Sequence, residues 1–131
     1  MNRPAVCTIN ALTDSVIGAA IEVHKSLGPG LLESAYEECL AHELALGKIF
    51  FERQMPLPVR YKGVRLDCGY RLDFVIENCV VLELKATETL HSIYEAQLLS
   101  YLKLGGWPVG LLINFNVPVL RKGIKRLVNH L

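Results

Sequence analysis

Three charged residues lie inside stretches that otherwise have the composition of buried β-strands. Asp73 belongs to Tyr-Arg-Leu-Asp-Phe-Val-Ile, and Glu83 and Lys85 belong to Val-Val-Leu-Glu-Leu-Lys-Ala. A charge within an apolar strand is costly unless it is paired or binds a metal. Side chains alternate along a strand, so Glu83 and Lys85 point to the same face. The pattern indicates a carboxylate site with a neighbouring lysine.

Whether Asp73 shares that face depends on the length of the turn between the two strands. A two-residue turn at residues 77–78 would place Glu83 on the opposite face of the sheet from Asp73. A three-residue turn at residues 77–79 pairs Asp73 with Glu83, and Asn78 tolerates the left-handed conformation that such a turn needs. We therefore predict the odd-length turn or an equivalent bulge.

Two facing carboxylates repel each other unless a cation lies between them. Oxygen ligands of this kind suit Mg²⁺ or Mn²⁺. Lys85 would lie beside the metal, where it orients an attacking water or stabilises charge that develops on a phosphate. A Glu-x-Lys pair alone is weakly specific, since about 0.5 matches arise by chance in a chain of this length. The hairpin alone therefore also allows a surface cross-strand salt bridge.

The surrounding sequence predicts one α/β domain over residues 1–131. Helical spacing and extended patterns alternate in the order α-α-β-β-β-α-β-α. The predicted helices are 11–26, 31–46, 92–104 and 120–129, and the predicted strands are 50–60, 69–76, 80–85 and 107–115. This order predicts an α/β sandwich with a central mixed sheet flanked by helices.

Several local patterns refine these elements. Pro56 and Pro58 favour an edge position for the first strand. Ser92 and Glu95 match an S-x-x-E capping box at the start of the third helix. Gly47 stands where a left-handed glycine would end the second helix.

Composition places the chain among ordinary globular proteins, with 51% hydrophobic and 21% charged residues. No apolar stretch approaches the roughly 18 residues that span a bilayer. The first ten residues lack the pattern of a signal peptide, so we expect a cytoplasmic location. In that compartment we expect reduced cysteines, and their spacing does not suggest a zinc site. The four cysteines are Cys7, Cys39, Cys68 and Cys79.

Charge is distributed unevenly along the chain. Residues 1–95 contain 9 Lys/Arg and all 13 Asp/Glu, a net charge of −4, whereas residues 96–131 contain 5 Lys/Arg and no acid. Such asymmetry can mark a face that binds a polyanion. A solvated terminal helix is the alternative, and charge alone favours it.

A longer motif points to a known family. The stretch Gly30-Leu-Leu-Glu-Ser-Ala-Tyr36, together with Asp73, Glu83-x-Lys85 and Gln97, resembles the family named for its GxxExxY motif. That family is assigned to the PD-(D/E)xK nuclease superfamily, so the resemblance implies a restriction-endonuclease-like core and a phosphodiesterase fold. The resemblance covers nearly the whole chain and includes residues 22–25, 27–30, 70–75, 81–86, 97–102, 112–115 and 123–126. Asn116 departs from it, because many relatives carry glycine there.

The resemblance also implies roles for individual residues. Asp73 and Glu83 match the metal ligands, and Lys85 matches the catalytic lysine. Glu33 matches an acidic residue on the first core helix, and Gln97 matches a polar residue on the helix after the Glu-x-Lys strand. By position, Glu33 could complete a carboxylate triad and hold a second metal or its water, or it could simply interact favourably with the helix dipole. Tyr101 lies one turn after Gln97, where core packing is its expected role.

The leading hypothesis is therefore a Mg²⁺-dependent nuclease that acts on DNA in preference to RNA, with metal-activated water attacking the phosphorus. Basic side chains would contact the nucleic-acid backbone without reading its sequence. The alternatives are a catalytically silent binding module in a repair or defence complex, and hydrolysis of another phosphate ester. A homodimer that brackets a duplex is compatible with so small a domain, and His24 is a weak candidate for phosphate binding. The candidate backbone contacts are Lys103, Arg121, Lys122, Lys125 and Arg126.

Overall fold

The computed structural model describes the backbone of residues 6–130 and the side chains of residues 8–130. Met1–Ala5, which is half of the segment assessed for a signal peptide, and the side chain of Cys7 lie outside this part. The helices are α1 (Val6–Leu27), α2 (Glu33–Leu46) and α3 (Ser92–Gly105). The strands are β1 (Phe51–Tyr61), β2 (Val64–Ile76), β3 (Val80–Lys85), β4 (Val109–Asn114) and β5 (Ile124–Val128), with a 3₁₀ turn at Leu120–Gly123 before β5.

The five strands form one mixed sheet in the order β1-β2-β3-β4-β5. Strands β3 and β4 are parallel and the other neighbouring pairs are antiparallel. A parallel pair needs a crossover connection, and α3 supplies it. The predicted mixed sheet with flanking helices is confirmed, and β1 lies at an edge as its prolines indicated.

Two hydrophobic clusters lie on opposite faces of the sheet. Leu82 and Leu84 pack in the cluster that includes α1 and α2. Val81 and Leu112 pack in the cluster that includes α3. Because side chains alternate, a strand covered on both faces must be apolar at nearly every position. The continuous burial of β3 and β4 follows from these two helical layers.

The predicted C-terminal helix at residues 120–129 is wrong. Only a 3₁₀ turn forms there, and Ile124–Val128 become β5, paired antiparallel with β4. Ile124 packs against the cluster on the α1 and α2 face, whereas Leu127 packs against the cluster on the α3 face. Pairing with β4 satisfies the backbone groups of an otherwise open edge, and this tertiary gain outweighs the local helical pattern.

Two predicted helix ends also differ in detail. His91 is the N-cap of α3, and no side-chain cap hydrogen bond forms, so the predicted capping box is wrong. Glu95 instead forms an ion pair with Lys125, with Oε1 and Nζ 3.2 Å apart. Helix α2 ends at Gly47 as predicted, but Gly47 has φ −79° and the left-handed residue is Lys48 at φ 56°.

Cys39 and Cys68 are free thiols.

Among the described helices, none is both long enough and apolar enough to cross a membrane.

Gly123 lies where a side chain cannot fit. A Cβ there would lie 2.3 Å from the backbone oxygen of Asn114, an atom held by the sheet. We predict that Gly123→Ala lowers the free energy of unfolding by roughly 1–3 kcal/mol in urea denaturation. Gly18 is the matched control, because a Cβ added there would meet no neighbouring atom within 4 Å. Gly18→Ala should therefore raise stability by about 0.5–1 kcal/mol. Equal stability of Gly123→Ala and wild type would contradict the packing described here.

Candidate active site

The β2–β3 hairpin has the register that the odd-length turn requires. Ile76 pairs with Val80, Val75 with Val81, and Phe74 with Leu82, so the next position brings Asp73 opposite Glu83. Residues 77–79 form the turn. Both Glu77 and Asn78 adopt left-handed backbone conformations, at φ 52° and 51°. The predicted three-residue turn is therefore confirmed, including the left-handed Asn78.

Strand β2 separates from β3 at Asp73. The paired register ends at Phe74 and Leu82, and the Asp73 side chain continues the contact. Its Oδ2 accepts a hydrogen bond from the backbone N–H of Leu84 at 2.8 Å. The side-chain alternation of β2 is interrupted at this point, because Leu72 packs on the α3 face whereas Phe74, two residues later, packs on the opposite face. Asp73 thus occupies the point where the sheet opens.

Gln54 fixes the other side of the Asp73 carboxylate. Its Nε2 lies 3.4 Å from Asp73 Oδ1 and donates a shorter hydrogen bond to Glu37 Oε1 at 2.9 Å. Gln54 has φ 51°, an unusual conformation for this residue type, within β1. Glu37 is held in turn by Arg53, with Nη2 and Oε2 2.8 Å apart. A polar chain from β1 and α2 therefore supports Asp73.

Glu83 is a buried carboxyl group with an unsatisfied oxygen. The residue is 7% exposed, and its Oε1 has no hydrogen-bond partner. Burial, the negative charge of Asp73 and a hydrogen bond with Asp73 raise the pKa of Glu83 from 4.5 to about 9, while Lys85 acts in the opposite direction. Without a cation, the site therefore favours a protonated Glu83. A metal ion would supply the missing partner for Oε1 and favour the charged form.

Lys85 points to the same face as Glu83 and is held by α3. Its Nζ lies 4.5 Å from the centre of the Tyr94 ring, a cation–π contact. Its positive charge lowers the pKa of both Glu83 and Glu33. The ammonium group therefore lies within electrostatic reach of the carboxylates from two different elements.

Glu33 approaches the site as the first residue of α2. The residue is exposed, yet partial desolvation of its carboxyl group raises its pKa, with further increases from Asp73 and Glu37. In residues 8–130, no group of three or more His, Cys, Asp or Glu side chains is arranged to hold a metal ion. Asp73 and Glu83 are therefore a pair with Glu33 nearby, and Glu33 as a third ligand stays a prediction.

Tyr36 explains how the loop before α2 is positioned. Its hydroxyl donates to the backbone oxygen of Gly28 at 2.6 Å and accepts from the backbone N–H of Leu31 at 3.1 Å. Its ring stacks on Phe115 at 4.5 Å. These contacts fix the chain that leads into Glu33, so Tyr36 positions the carboxylate rather than touching the site.

Gln97 and Tyr101 lie on the face of α3 that looks toward the sheet opening. Tyr101 packs in the core as expected. Burial and the charges of Glu83 and Asp73 raise its pKa, which places it near the carboxylates. Gln97 is exposed and lines a groove of about 260 Å³ with Tyr101 and Tyr70. Gln97 makes no hydrogen bond to the carboxylates within the described part of the chain.

The five C-terminal basic residues do not form one surface. Lys103 lies in the last turn of α3. Because α3 leads into the start of β4, Lys103 is near the end of the sheet that is farther from Lys85. Lys125 pairs with Glu95 on one face, and Arg126 donates to Asn10 Oδ1 at 2.8 Å on the other. Arg121 and Lys122 are exposed beyond the end of β4, which lies beside Lys85.

His24 has a structural partner. Its Nε2 lies 2.8 Å from the backbone oxygen of Val117, and the residue is buried. The hydrogen bond joins α1 to the segment that follows β4. This contact accounts for a histidine that the sequence marked only as a weak phosphate ligand.

The pair formed by the buried Glu83 and the half-buried Asp73 suits a hard divalent cation. Mg²⁺ is usually held by one or two carboxylates and keeps several waters, so a third protein carboxylate is not required. The unsatisfied Glu83 Oε1 beside Asp73 fits that ligand set. The model of the PD-(D/E)XK nuclease superfamily matches residues 10–127. The chain belongs to this superfamily.

Superfamily membership agrees with the geometry at the hairpin. PD-(D/E)XK nucleases usually use divalent metals, and the carboxylate pair is the place where this chain would hold one. No curated protein and no solved structure is a significant match to the chain.

Several supporting residues were missed in the sequence. Gln54 lies on an edge strand with no pattern that marks it, and Tyr94 is one of two tyrosines on α3. Asn114 is buried, and its side chain bonds both the N–H and the oxygen of Thr87, which fixes the segment after Lys85. An asparagine ending a buried apolar strand is the one pattern that could have predicted such a role.

The raised pKa of Glu83 predicts a pH-dependent stability in the absence of metal. Because folding favours the neutral form, this contribution is fully present below about pH 4.5 and is lost as pH rises toward about 9. In EDTA, wild type should lose stability between pH 5.5 and pH 8.5. Glu83→Gln, which stays neutral, should be more stable than wild type by roughly 1–3 kcal/mol at pH 8.5. Urea denaturation at several pH values measures both effects.

Glu52→Gln serves as the control, because Glu52 is an exposed carboxylate on β1. It should leave the pH profile of wild type unchanged. A Glu83→Gln profile that runs parallel to that of wild type would show that Glu83 titrates normally in the folded protein.

Proposed function

We propose that this protein is a metal-dependent nuclease that hydrolyses phosphodiester bonds in DNA, in preference to RNA, with Mg²⁺ or Mn²⁺ as its cofactor. The observation that supports this most directly is the buried Glu83 oxygen without a partner, opposite Asp73 and beside Lys85. Buried polar side-chain atoms normally have a hydrogen-bond partner, so an unsatisfied carboxylate oxygen favours a ligand-binding site over a purely structural salt bridge.

Each side chain has a distinct part in the proposed chemistry. Asp73 and Glu83 would hold the ion, which when bound lowers the pKa of water and stabilises charge on the phosphate. Lys85, fixed over Tyr94, stabilises the negative charge that develops during attack. Glu33, beside Lys85 and Asp73, is the carboxylate available to orient the attacking water. Gln97, on the face of α3 that looks toward the sheet opening, contacts the substrate.

The proposal also includes the subfamily, the backbone contacts, the location and the oligomeric state. Membership of the GxxExxY family is supported by Tyr36, whose hydroxyl secures the loop that leads to Glu33. Among the C-terminal basic residues, Arg121 and Lys122 are the best candidates for backbone contacts, because both are exposed at the end of the sheet where the site opens. A cytoplasmic location and a homodimer remain predictions from the sequence.

A cleavage assay tests the proposed activity. Labelled single- and double-stranded DNA and RNA are incubated with protein in Mg²⁺, Mn²⁺ or EDTA. We expect cleavage of DNA with either metal and none in EDTA. Asp73→Asn and Lys85→Ala should each lower the rate by about 10²–10³-fold, because each removes charge placed for the transition state. Glu52→Gln should cleave at the wild-type rate.

Two results would contradict the proposal in different ways. Cleavage that survives both active-site substitutions would come from a contaminating enzyme. Absence of cleavage by a folded protein that still binds nucleic acid would favour a catalytically silent binding module on the same fold.

A further inference from the structure

The distal part of the β1–β2 hairpin projects from the sheet as an arm, defined here as residues 59–71. Every residue from 60 to 71 is exposed. The tip is closed by Lys62 and Gly63, both with positive φ, and Tyr61 pairs with Val64 across it. The β2–β3 register reaches no further than Phe74. Among the described strands, the arm therefore pairs with none beyond its own two.

The arm carries unbalanced positive charge. It contains Arg60, Lys62, Arg65 and Arg71 against one carboxylate, Asp67. Among the described residues none of these four cations takes part in an ion pair. Asp67 Oδ1 is used locally, since it accepts a hydrogen bond from the backbone N–H of Gly69.

Arg60 and Arg65 are directly opposite each other in the register. Residues that face each other across an antiparallel pair lie on the same side of the ribbon, and like charges in this position are destabilising. Two guanidinium groups held together on an exposed surface repel each other, and a bound anion would relieve this repulsion. Planar guanidinium groups also match phosphate geometry well.

The other side of the ribbon is apolar and exposed. Val59 faces Leu66, and Tyr61 faces Val64, with Tyr61 60% and Val64 55% exposed. Lys62 Nζ lies 5.4 Å from the Tyr61 ring centre. Basic groups together with exposed aromatic side chains are typical of surfaces that bind phosphates and bases at once.

The arm extends from the end of the sheet where the site opens. Strand β2 is antiparallel to β3, so the residues that precede Asp73 continue past Glu83 in the direction in which β3 ends at Lys85. The nine residue steps from Asp73 to Val64 span roughly 25–30 Å at about 3.3 Å each. A polymer with one phosphodiester at the carboxylates would therefore have its flanking backbone within reach of the arm.

We propose that this arm is a DNA-binding clamp, in which Arg60 and Arg65 bind the phosphate backbone flanking the scissile bond and Tyr61 contacts the sugar or base beside it. The inference rests on the proposed nuclease function for the identity of the polyanion. It assigns the main backbone contacts to a segment far in sequence from the C-terminal basic residues. A two-stranded ribbon is one of the elements that the major groove of a duplex admits.

Binding of a fluorescent DNA duplex in EDTA tests the clamp without requiring cleavage. Anisotropy is measured between 50 and 200 mM salt for wild type and Arg60→Gln/Arg65→Gln. Each lost phosphate contact should reduce the slope of log K against log salt by about 0.9, so the double variant should lose nearly 2 in slope and roughly 10- to 60-fold in affinity at 0.1 M salt. Its melting temperature should equal or exceed that of wild type, since a repulsive pair is removed.

Two controls isolate position from charge. Lys48→Gln removes one positive charge at the opposite end of the sheet and should bind with the wild-type slope, whereas Arg60→Gln alone should reduce the slope by about 0.9. Arg60→Lys/Arg65→Lys keeps the charge and should retain most of the affinity. Equal losses of affinity in Arg60→Gln and Lys48→Gln would overturn the clamp, as would an arm variant that binds DNA normally but loses self-association in sedimentation.

Hydrolysis of bis(p-nitrophenyl) phosphate with Mn²⁺ separates this inference from the proposed function. The arm variant should hydrolyse this small diester at the wild-type rate, because it has no flanking backbone. Loss of DNA affinity in the arm variant, in a protein that hydrolyses neither diester, would support the clamp and refute the nuclease activity. If the arm variant hydrolyses the small diester at the wild-type rate and also binds DNA with wild-type affinity, the result would support the nuclease activity and refute the clamp.

Discussion

The hydrogen bond from the Leu84 backbone N–H to Asp73 Oδ2 is the contact on which the site depends. At this point β2 stops pairing with β3, and a buried backbone group would lose its partner. The carboxylate satisfies it. Because the Asp73 side chain takes the place of a backbone partner, β2 and β3 separate beyond this point. The face that carries Glu83 and Lys85 therefore becomes reachable from outside the sheet. One interaction thus joins the end of a β-ladder to the start of a site.

Glu83 is the residue that this arrangement makes unfavourable in its charged form. Its carboxyl group is surrounded by apolar strands and faces another carboxylate, and these surroundings raise its pKa to about 9. Such a group destabilises the folded chain as it becomes charged, whereas a cation bound between the carboxylates would reverse the effect. Proteins commonly retain unfavourable local arrangements of this kind where function requires them. The polar chain through Gln54, Glu37 and Arg53 limits the movement of Asp73 and keeps the two carboxylates together.

The sequence allowed the hairpin to be predicted closely, because side-chain alternation couples turn length to register and only an odd turn brings Asp73 beside Glu83. The first strand, the third strand, the buried fourth strand and the crossover helix followed from periodicity in the same way. The second strand was predicted only from residue 69, whereas β2 begins at Val64, because the exposed residues 64–68 become extended by pairing with β1. The C-terminal strand did not, since residues 124–128 have a weak pattern of their own and become extended only by pairing with β4. The supporting residues Gln54 and Tyr36 act through contacts between distant segments, which local patterns do not encode.

Binding of Mn²⁺ to the metal-free protein tests the central claim most directly, because it requires neither a substrate nor turnover. Isothermal titration calorimetry of wild type, Glu83→Gln, Asp73→Asn and Glu52→Gln would measure stoichiometry and affinity. If the carboxylates opposite each other on β2 and β3 form the metal site, wild type and Glu52→Gln will bind Mn²⁺ with equal affinity. Glu83→Gln and Asp73→Asn will each bind at least about 10-fold more weakly. Folded wild type that binds no Mn²⁺, or a Glu83→Gln protein that binds it as tightly as wild type, would contradict the account.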